Sequence, residues 1–233
     1  MSMKFHFDDS LPYQRAAIDA VSGVFAGQEI LSSSFSVMAR PHSLEMEDGS
    51  DLGVGNHVGL ISEEILANLR TVQLENGLPQ EPQLLSRNFT VEMETGTGKT
   101  YVYLRSIFEL NRLYGFTKFI IIVPSIAVKE GVNKSIDMLK EHFARLYDNV
   151  PIHSFLYDSA ALGQIRNFAT SNQIEVMVIT VAAMNKNTNK IWEKAETLGW
   201  EAPIDLIKAT SPIVIIDEPQ SVYGGKKESP KEG

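Results

Sequence analysis

The run Met93-Glu94-Thr95-Gly96-Thr97-Gly98-Lys99-Thr100 sets two glycines, a lysine and a hydroxyl within a few positions of one another. A polyphosphate needs several N–H donors aimed at one point, and a glycine-rich turn leading into a helix N-terminus supplies them. In that role Gly96 and Gly98 allow close backbone approach, and Lys99 brings positive charge to the outer phosphates. The Thr100 hydroxyl can ligate magnesium, and Thr95 and Thr97 complete the loop. The strict pattern has glycine where Met93 stands, so spelling alone does not carry the reading. A second motif does. Ile213-Val214-Ile215-Ile216-Asp217-Glu218 is an apolar run ending in two acids, the form of the magnesium-holding partner of such a loop. A merely flexible Thr-Gly-Thr-Gly turn explains the first motif but not the pair.

The elements that must position these residues alternate from Asn88 onward. Strands are expected at Asn88–Met93, Phe119–Val123, Ile152–Leu156, Val176–Thr180 and Ile213–Asp217. Helices are expected near Lys99–Tyr114, Ile126–Leu146, Ala160–Ala169 and Ile191–Lys208. Near-continuous Val/Ile runs predict strands covered on both faces, hence a three-layer α/β domain with a mainly parallel sheet. Ligands in such sheets bind at the carboxyl ends of strands, where both motifs fall. Gly115 suits a helix C-cap after Tyr114. Residues 27–87 read as an inserted helical and loop segment. Within it Ser32-Ser33-Ser34 and Asp48–Gly55 read as loop. Ser62–Asn76 reads as a helix capped by Ser62, with Ile65, Leu69 and Val72 on one face and Gly77 and Pro79 to end it. Gly53, Gly55 and Gly59 lack the preceding strand that a dinucleotide fingerprint requires. The expected organisation is one nucleotide-binding domain over residues 1–223 and a polar, mobile tail over 224–233.

Composition narrows the class. A formal charge of −8 argues against a generally basic, nucleic-acid-coating protein, though a locally positive groove remains compatible with it. The absence of cysteine excludes disulfides, zinc fingers and iron–sulfur sites, and suits a reducing cytoplasm, the expected location. The N-terminal residues lack the apolar run of a secretory signal. The longest apolar stretch, Phe119–Val128, is interrupted by Pro124 and too short to span a bilayer, so no membrane partner is expected. His6, His42, His57, His142 and His153 show no paired ligand spacing and read as surface or packing residues. Asp8-Asp9 reads as a cap, and Glu63-Glu64 as a solvated helix start.

Four features follow in order: Leu11-Pro12-Tyr13-Gln14, the phosphate loop, Ile121–Val128, and Asp217-Glu218-Pro219-Gln220. This order resembles the first RecA-like motor domain of superfamily 2 helicases. The spelling Glu92–Tyr101, the helix Phe108-Glu109-Leu110-Asn111, the strand Lys118–Ser125 and the Asp-Glu-Pro-Gln tetrad resemble the Res subunit of type III restriction endonucleases, over Phe5–Val24 and Asn88–Tyr223. The resemblance implies a RecA-like P-loop NTPase fold and a parent that couples Mg²⁺-ATP hydrolysis to movement on double-stranded DNA. That parent cleaves DNA together with a modification (methyltransferase) subunit.

Residue by residue, the resemblance assigns Gln14 to the adenine edge, and Gly96, Gly98 and Lys99 to the phosphates. It assigns Thr100 and Asp217 to Mg²⁺, Glu218 to the attacking water and Gln220 to relaying the nucleotide state. Pro124, Ser125 and Thr180 fall where the family contacts a DNA strand. A proline ending a strand and a threonine within one also have a purely structural reading, and both stay open. The family pattern includes a second motor domain, with a charge-stabilising arginine, and a nuclease domain. Neither is found within these 233 residues, so a fragment or truncated product, near-inactive alone, is expected. The competing readings are another superfamily 2 DNA or RNA helicase, a small-molecule kinase and a catalytically silent nucleotide-binding module. The kinase reading lacks an Arg-rich lid between the motifs.

Overall fold

The computed structural model describes residues 7–37, 51–185 and 189–223; the expected tail at 224–233, His6 and His42 lie outside them. In chain order the elements are α1 (Pro12–Gly23), β1 (Ser32–Val37), β2 (Asp51–Asn56), α2 (Ser62–Glu75), α3 (Lys99–Tyr114), β3 (Lys118–Val123) and α4 (Ile126–Leu146). There follow β4 (Ile152–Leu156), α5 (Gly163–Thr170), β5 (Ile174–Thr180), α6 (Val181–Met184), α7 (Pro203–Ala209), β6 (Ile213–Ile216) and α8 (Pro219–Tyr223). The chain divides into two compact units. One collects residues up to Ser33 with Asn56–Thr117 and Ser135–Pro151. The other collects Ser34–Gly55, Lys118–Lys134 and the residues from Ile152 on. Among the described residues no helix is long and apolar enough to cross a membrane.

The second unit holds the expected parallel sheet, four strands in the order β4-β5-β3-β6. All three pairings are parallel. On one face Phe155, Met177 and Ile179 pack with Phe168 of α5, Ile207 of α7 and Leu198 from the stretch between α6 and α7. On the other face Phe119, Ile121, Val123, Val176 and Val178 are fully buried. Burial on both faces is what unbroken Val/Ile strands require, since an alternating strand would leave one face wet.

In the first unit α1 lies against α3. The Tyr114 hydroxyl donates to the Ser22 carbonyl at 2.9 Å, and Phe25 meets Phe116 edge-on, ring centres 5.3 Å apart. Gly115 ends α3 as expected, left-handed at φ 71° with its N–H on the Asn111 carbonyl at 2.8 Å. α2 ends at Asn76 with Gly77 at φ 67°. The Leu78 N–H reaches back to the Gln73 carbonyl (2.8 Å) and the Gly77 N–H to that of Leu74 (3.1 Å), a paired closure that satisfies two terminal carbonyls.

Four local expectations are corrected. Ser32-Ser33-Ser34 and Asp51–Gly55 are not loop: they belong to β1 and β2, which pair as a two-stranded sheet. The serines hid an alternation in which Ser32, Ser34 and Ser36 face out while Phe35 and Val37 turn inward. Gly53 admits the Phe35 ring, since a Cβ there would lie 2.4 Å from it. Second, the N-cap of α2 is Ile61 rather than Ser62; its N–H is taken by the Glu64 carboxylate at 2.9 Å, an acid closing the first turn in place of a hydroxyl. Third, the helix expected over Ile191–Lys208 is broken into two short 3₁₀ turns and α7. Gly199, left-handed at φ 69°, and Pro203, which has no N–H to give a preceding turn, interrupt it. Fourth, Asn88–Met93 forms no strand, and Asn88–Glu92 are exposed. Only Phe89, Val91 and Met93 are apolar in that stretch, and the first two are exposed, too little to dictate a buried strand.

Candidate nucleotide site

α3 begins at Lys99, immediately after the loop. Gly96 (φ 82°) and Gly98 (φ 86°) both take the left-handed conformation, which costs other residues about 1–2 kcal/mol each. The Thr97 hydroxyl donates to the Glu94 carbonyl at 2.7 Å and its N–H approaches the same atom at 3.4 Å, closing the turn. Lys99 folds its ammonium back on the loop, donating to the carbonyls of Met93 (2.8 Å) and Glu94 (3.3 Å). At a helix start the first N–H groups have no intrahelical acceptor, and the helix dipole is positive there. Thr95 and Gly96 are exposed, and a Cβ added at Gly96 would meet nothing within 4 Å. Helix-terminal donors, an open face at Gly96 and a cation held on the loop itself fit a polyphosphate. Gln14, buried on α1, donates its amide Nε2 to the Thr97 carbonyl at 2.9 Å. A Cβ at Gly98 would stand 2.7 Å from that nitrogen, so the second glycine admits Gln14 as well as a phosphate. One unit thus gathers Gln14 with Thr95, Gly96, Thr97, Gly98, Lys99 and Thr100.

The other unit gathers the remaining sequence-derived residues. Its register aligns Val123 with Thr180 and Ile122 with Ile216, so β3, β5 and β6 end together. The Asp217 N–H donates to the Ile122 carbonyl at 2.9 Å, continuing the ladder past β6. Glu218 is held at φ 52°, left-handed and not glycine, and its carbonyl accepts the Ser221 N–H at 2.9 Å. Pro219 and Gln220 follow in α8 and are exposed, as is Glu218. A strained carboxylate turned outward at a sheet's carboxyl edge is the kind of outlier that clusters at functional sites. Ser125 serves the first turn of α4: its Oγ accepts the Val128 N–H (3.3 Å) and its carbonyl the Lys129 N–H (3.0 Å). Thr180 stands at the N-cap of α6 without a side-chain cap bond. Pro124, Ser125, Thr180, Asp217, Glu218 and Gln220 therefore lie at the carboxyl end of one sheet. Thr100 offers a hydroxyl in the first unit and Asp217 a carboxylate in the second, each an oxygen donor of the kind Mg²⁺ takes.

Two polar groupings were missed from the sequence. Behind the phosphate loop, Tyr101, Arg105 and Glu109 follow at helical spacing on α3. The Tyr101 hydroxyl pairs with His142 Nε2 at 3.0 Å, and Arg105 reaches the Tyr147 hydroxyl at 3.3 Å and the Asp9 carbonyl at 2.7 Å. Tyr147 in turn donates to Glu109 at 2.7 Å. Burial raises the pKa of both phenols, and for Tyr147 the bond to Glu109 adds to it, so both stay protonated. The i, i+4 recurrence of Tyr101, Arg105 and Glu109 along α3 was the signal. The second grouping crosses the sheet: Glu175 is the register partner of both Lys118 and His153. His153 Nδ1 lies 2.7 Å from the Glu175 carboxylate. Lys118 is wholly buried and donates to the Ser171 carbonyl. Burial pulls its pKa down to about 8, against the upward pull of Glu175.

Comparison with known proteins places this geometry. A family profile described as "Type III restriction enzyme, res subunit" matches residues 11–223. The Res subunit of the type III restriction-modification enzyme EcoP15I of Escherichia coli is 31% identical over 249 aligned positions, covering 97% of this chain and 24% of that protein. The EcoPI Res subunit of Escherichia phage P1 is 32% identical with the same coverage, 97% and 24%. The StyLTI Res subunit of Salmonella typhimurium is 34% identical over 57% of the chain and 15% of its own length. The chain thus spans about a quarter of the curated relatives it matches over nearly its whole length.

Proposed function

The chain belongs to the type III restriction enzyme Res subunit family, and from that premise we propose that it is the ATP-binding motor domain of such a subunit. The observation that carries the reading is the left-handed Gly96/Gly98 loop running into α3, with Lys99 at the helix start and Gln14 on the Thr97 carbonyl. Gln14 offers one donor and one acceptor, complementary to the adenine edge and not to guanine. The loop N–H groups and Lys99 hold the phosphates. Thr100 and Asp217 hold Mg²⁺, which when bound neutralises charge on the phosphate oxygens. The Glu218 carboxylate accepts a hydrogen bond from the attacking water and orients it, and Gln220 carries the nucleotide state onward.

The relatives are restriction-modification enzymes by name, and the proposal extends by that relation. In the whole protein, hydrolysis drives movement along double-stranded DNA and its cleavage, in concert with a modification methyltransferase subunit, in the cytoplasm. Pro124, Ser125 and Thr180, at the carboxyl end of the sheet, are the proposed DNA contacts.

Calorimetry of the folded chain with Mg²⁺-ATP tests the reading. Removing a charge-assisted contact costs about 1.5–3 kcal/mol, so Lys99→Ala should weaken binding about 10- to 150-fold. No heat of binding at millimolar ATP from a folded sample would refute it.

A further inference from the structure

We infer that Arg105 is a positioning residue for base recognition. From the helix that carries Lys99 and Thr100 it grips the backbone just ahead of Gln14, and so sets where the Gln14 amide lies against the phosphate loop. The inference rests on the adenine-reading role of Gln14.

Arg105 is 4% exposed, on a helix whose other buried residues include Val102, Leu104, Ile107 and Phe108. Burying a guanidinium among them is costly unless its donors are satisfied, and an apolar residue would fill the space at less cost. Its hydrogen bonds run in a particular direction. Nη1 donates to the Asp9 carbonyl at 2.7 Å, the shortest of its bonds, and approaches the Tyr101 hydroxyl at 3.4 Å; Nε reaches the Tyr147 hydroxyl at 3.3 Å. Arg105 makes no ion pair among the described residues, and Glu109 is reached only through Tyr147. The strongest contact of a buried charge is therefore spent on a main-chain carbonyl in the strap before α1.

That strap is tied a second time. The Phe7 ring lies 5.5 Å from the His142 ring, and His142 is bonded to Tyr101. Bracketing Asp9, Ser10 donates its N–H and hydroxyl to the Asp8 carboxylate at 2.8 and 2.6 Å, stiffening the turn. Leu11 then starts α1 by accepting the Gln14 and Arg15 N–H groups at 3.1 and 3.0 Å. Both ties lead to Tyr101 and Arg105, and Arg105 stands only about 9 Å along α3 from Lys99. Loop and strap are thus referenced to one rigid helix. A misplacement of about 1 Å in a recognition group is enough to lose most of its contribution.

The test compares ATP, GTP and inorganic tripolyphosphate binding in the chain and in Arg105→Gln, Arg105→Lys, Tyr147→Phe and Gln14→Ala. In Arg105→Gln the ATP-over-GTP preference should shrink about tenfold, while tripolyphosphate affinity stays within about twofold. Arg105→Lys should restore part of the preference, because an ammonium can still reach the Asp9 carbonyl. Tyr147→Phe keeps the ring stacked on Phe108 (4.9 Å) and should lose an intermediate share, so it carries the test if Arg105→Gln does not fold. A preference that survives in Gln14→Ala overturns the adenine reading and this inference with it. A preference lost in Gln14→Ala but intact in both Arg105→Gln and Tyr147→Phe overturns the inference alone. Equal weakening of all three ligands in Arg105→Gln assigns it a purely structural role and also overturns it.

Discussion

Replacing Gly98 by alanine separates two things the phosphate loop asks of that position. The backbone stands at φ 86°, and leaving a side chain there costs about 1–2 kcal/mol. The added Cβ would also lie 2.7 Å from Gln14 Nε2, so the amide must withdraw from the Thr97 carbonyl, a further loss of about 0.5–1.5 kcal/mol. Together these predict about 10- to 300-fold weaker ATP binding. Gly96→Ala is the internal control. Its φ of 82° imposes the same backbone cost, yet a Cβ there meets nothing within 4 Å. It should weaken binding only about 5- to 30-fold, the backbone share alone. The assay is calorimetric titration of Mg²⁺-ATP, repeated in a Gln14→Ala background, where the two glycine substitutions should converge. Equal losses at the two glycines in the presence of Gln14 would refute the reasoning.

Lys118 makes stability depend on alkaline pH. Its folded pKa of about 8 lies below the ordinary 10.5, so between those values the unfolded chain binds more protons and stability rises with pH, by at most about tenfold in the folding equilibrium per pH unit. Urea titrations from pH 7 to 10 should show that rise in the parent and a flatter profile in Lys118→Met. Phosphate release by the 233-residue chain should stay near background with or without duplex DNA, and fall further in Glu218→Gln; robust DNA-stimulated turnover abolished by that substitution would contradict this.

The RecA-like α/β class was legible because its signals are local and redundant. α3 and α4 match their expected spans from end to end. For α3, Gly98 and Gly115 mark both ends with left-handed turns that few other residues adopt. The strands β3 and β5 were legible because both their faces are buried, and beyond Lys118 and Glu175 at their starts the runs are apolar up to Val123 and Ile179. β1 was not, because its period-two pattern is written mostly in serine, whose outward and inward copies look alike in sequence. The candidate loop and the paired acids were picked out by type and spacing, and the role proposed for Gln14 came from resemblance alone. Arg105 escaped notice because its contact is with the backbone of Asp9, an acceptor every residue possesses. Its partners Tyr101 and Tyr147 are joined to it by the fold and not by any motif.

β6 ends the order of the sheet, so among the described residues only β3 pairs with it, and Val214 is 48% exposed. A short β-branched edge of this kind is a template for unwanted strand addition between molecules. The chain blunts it at both ends: Pro212 before the strand offers no N–H, and Asp217 and Glu218 after it place two negative charges where an incoming strand would align. The two acids proposed for metal and water are thus also gatekeepers of colloidal behaviour. Neutralising them removes the charge and leaves Pro212 alone to guard the edge, so a variant made to test their proposed chemistry is also a stickier molecule.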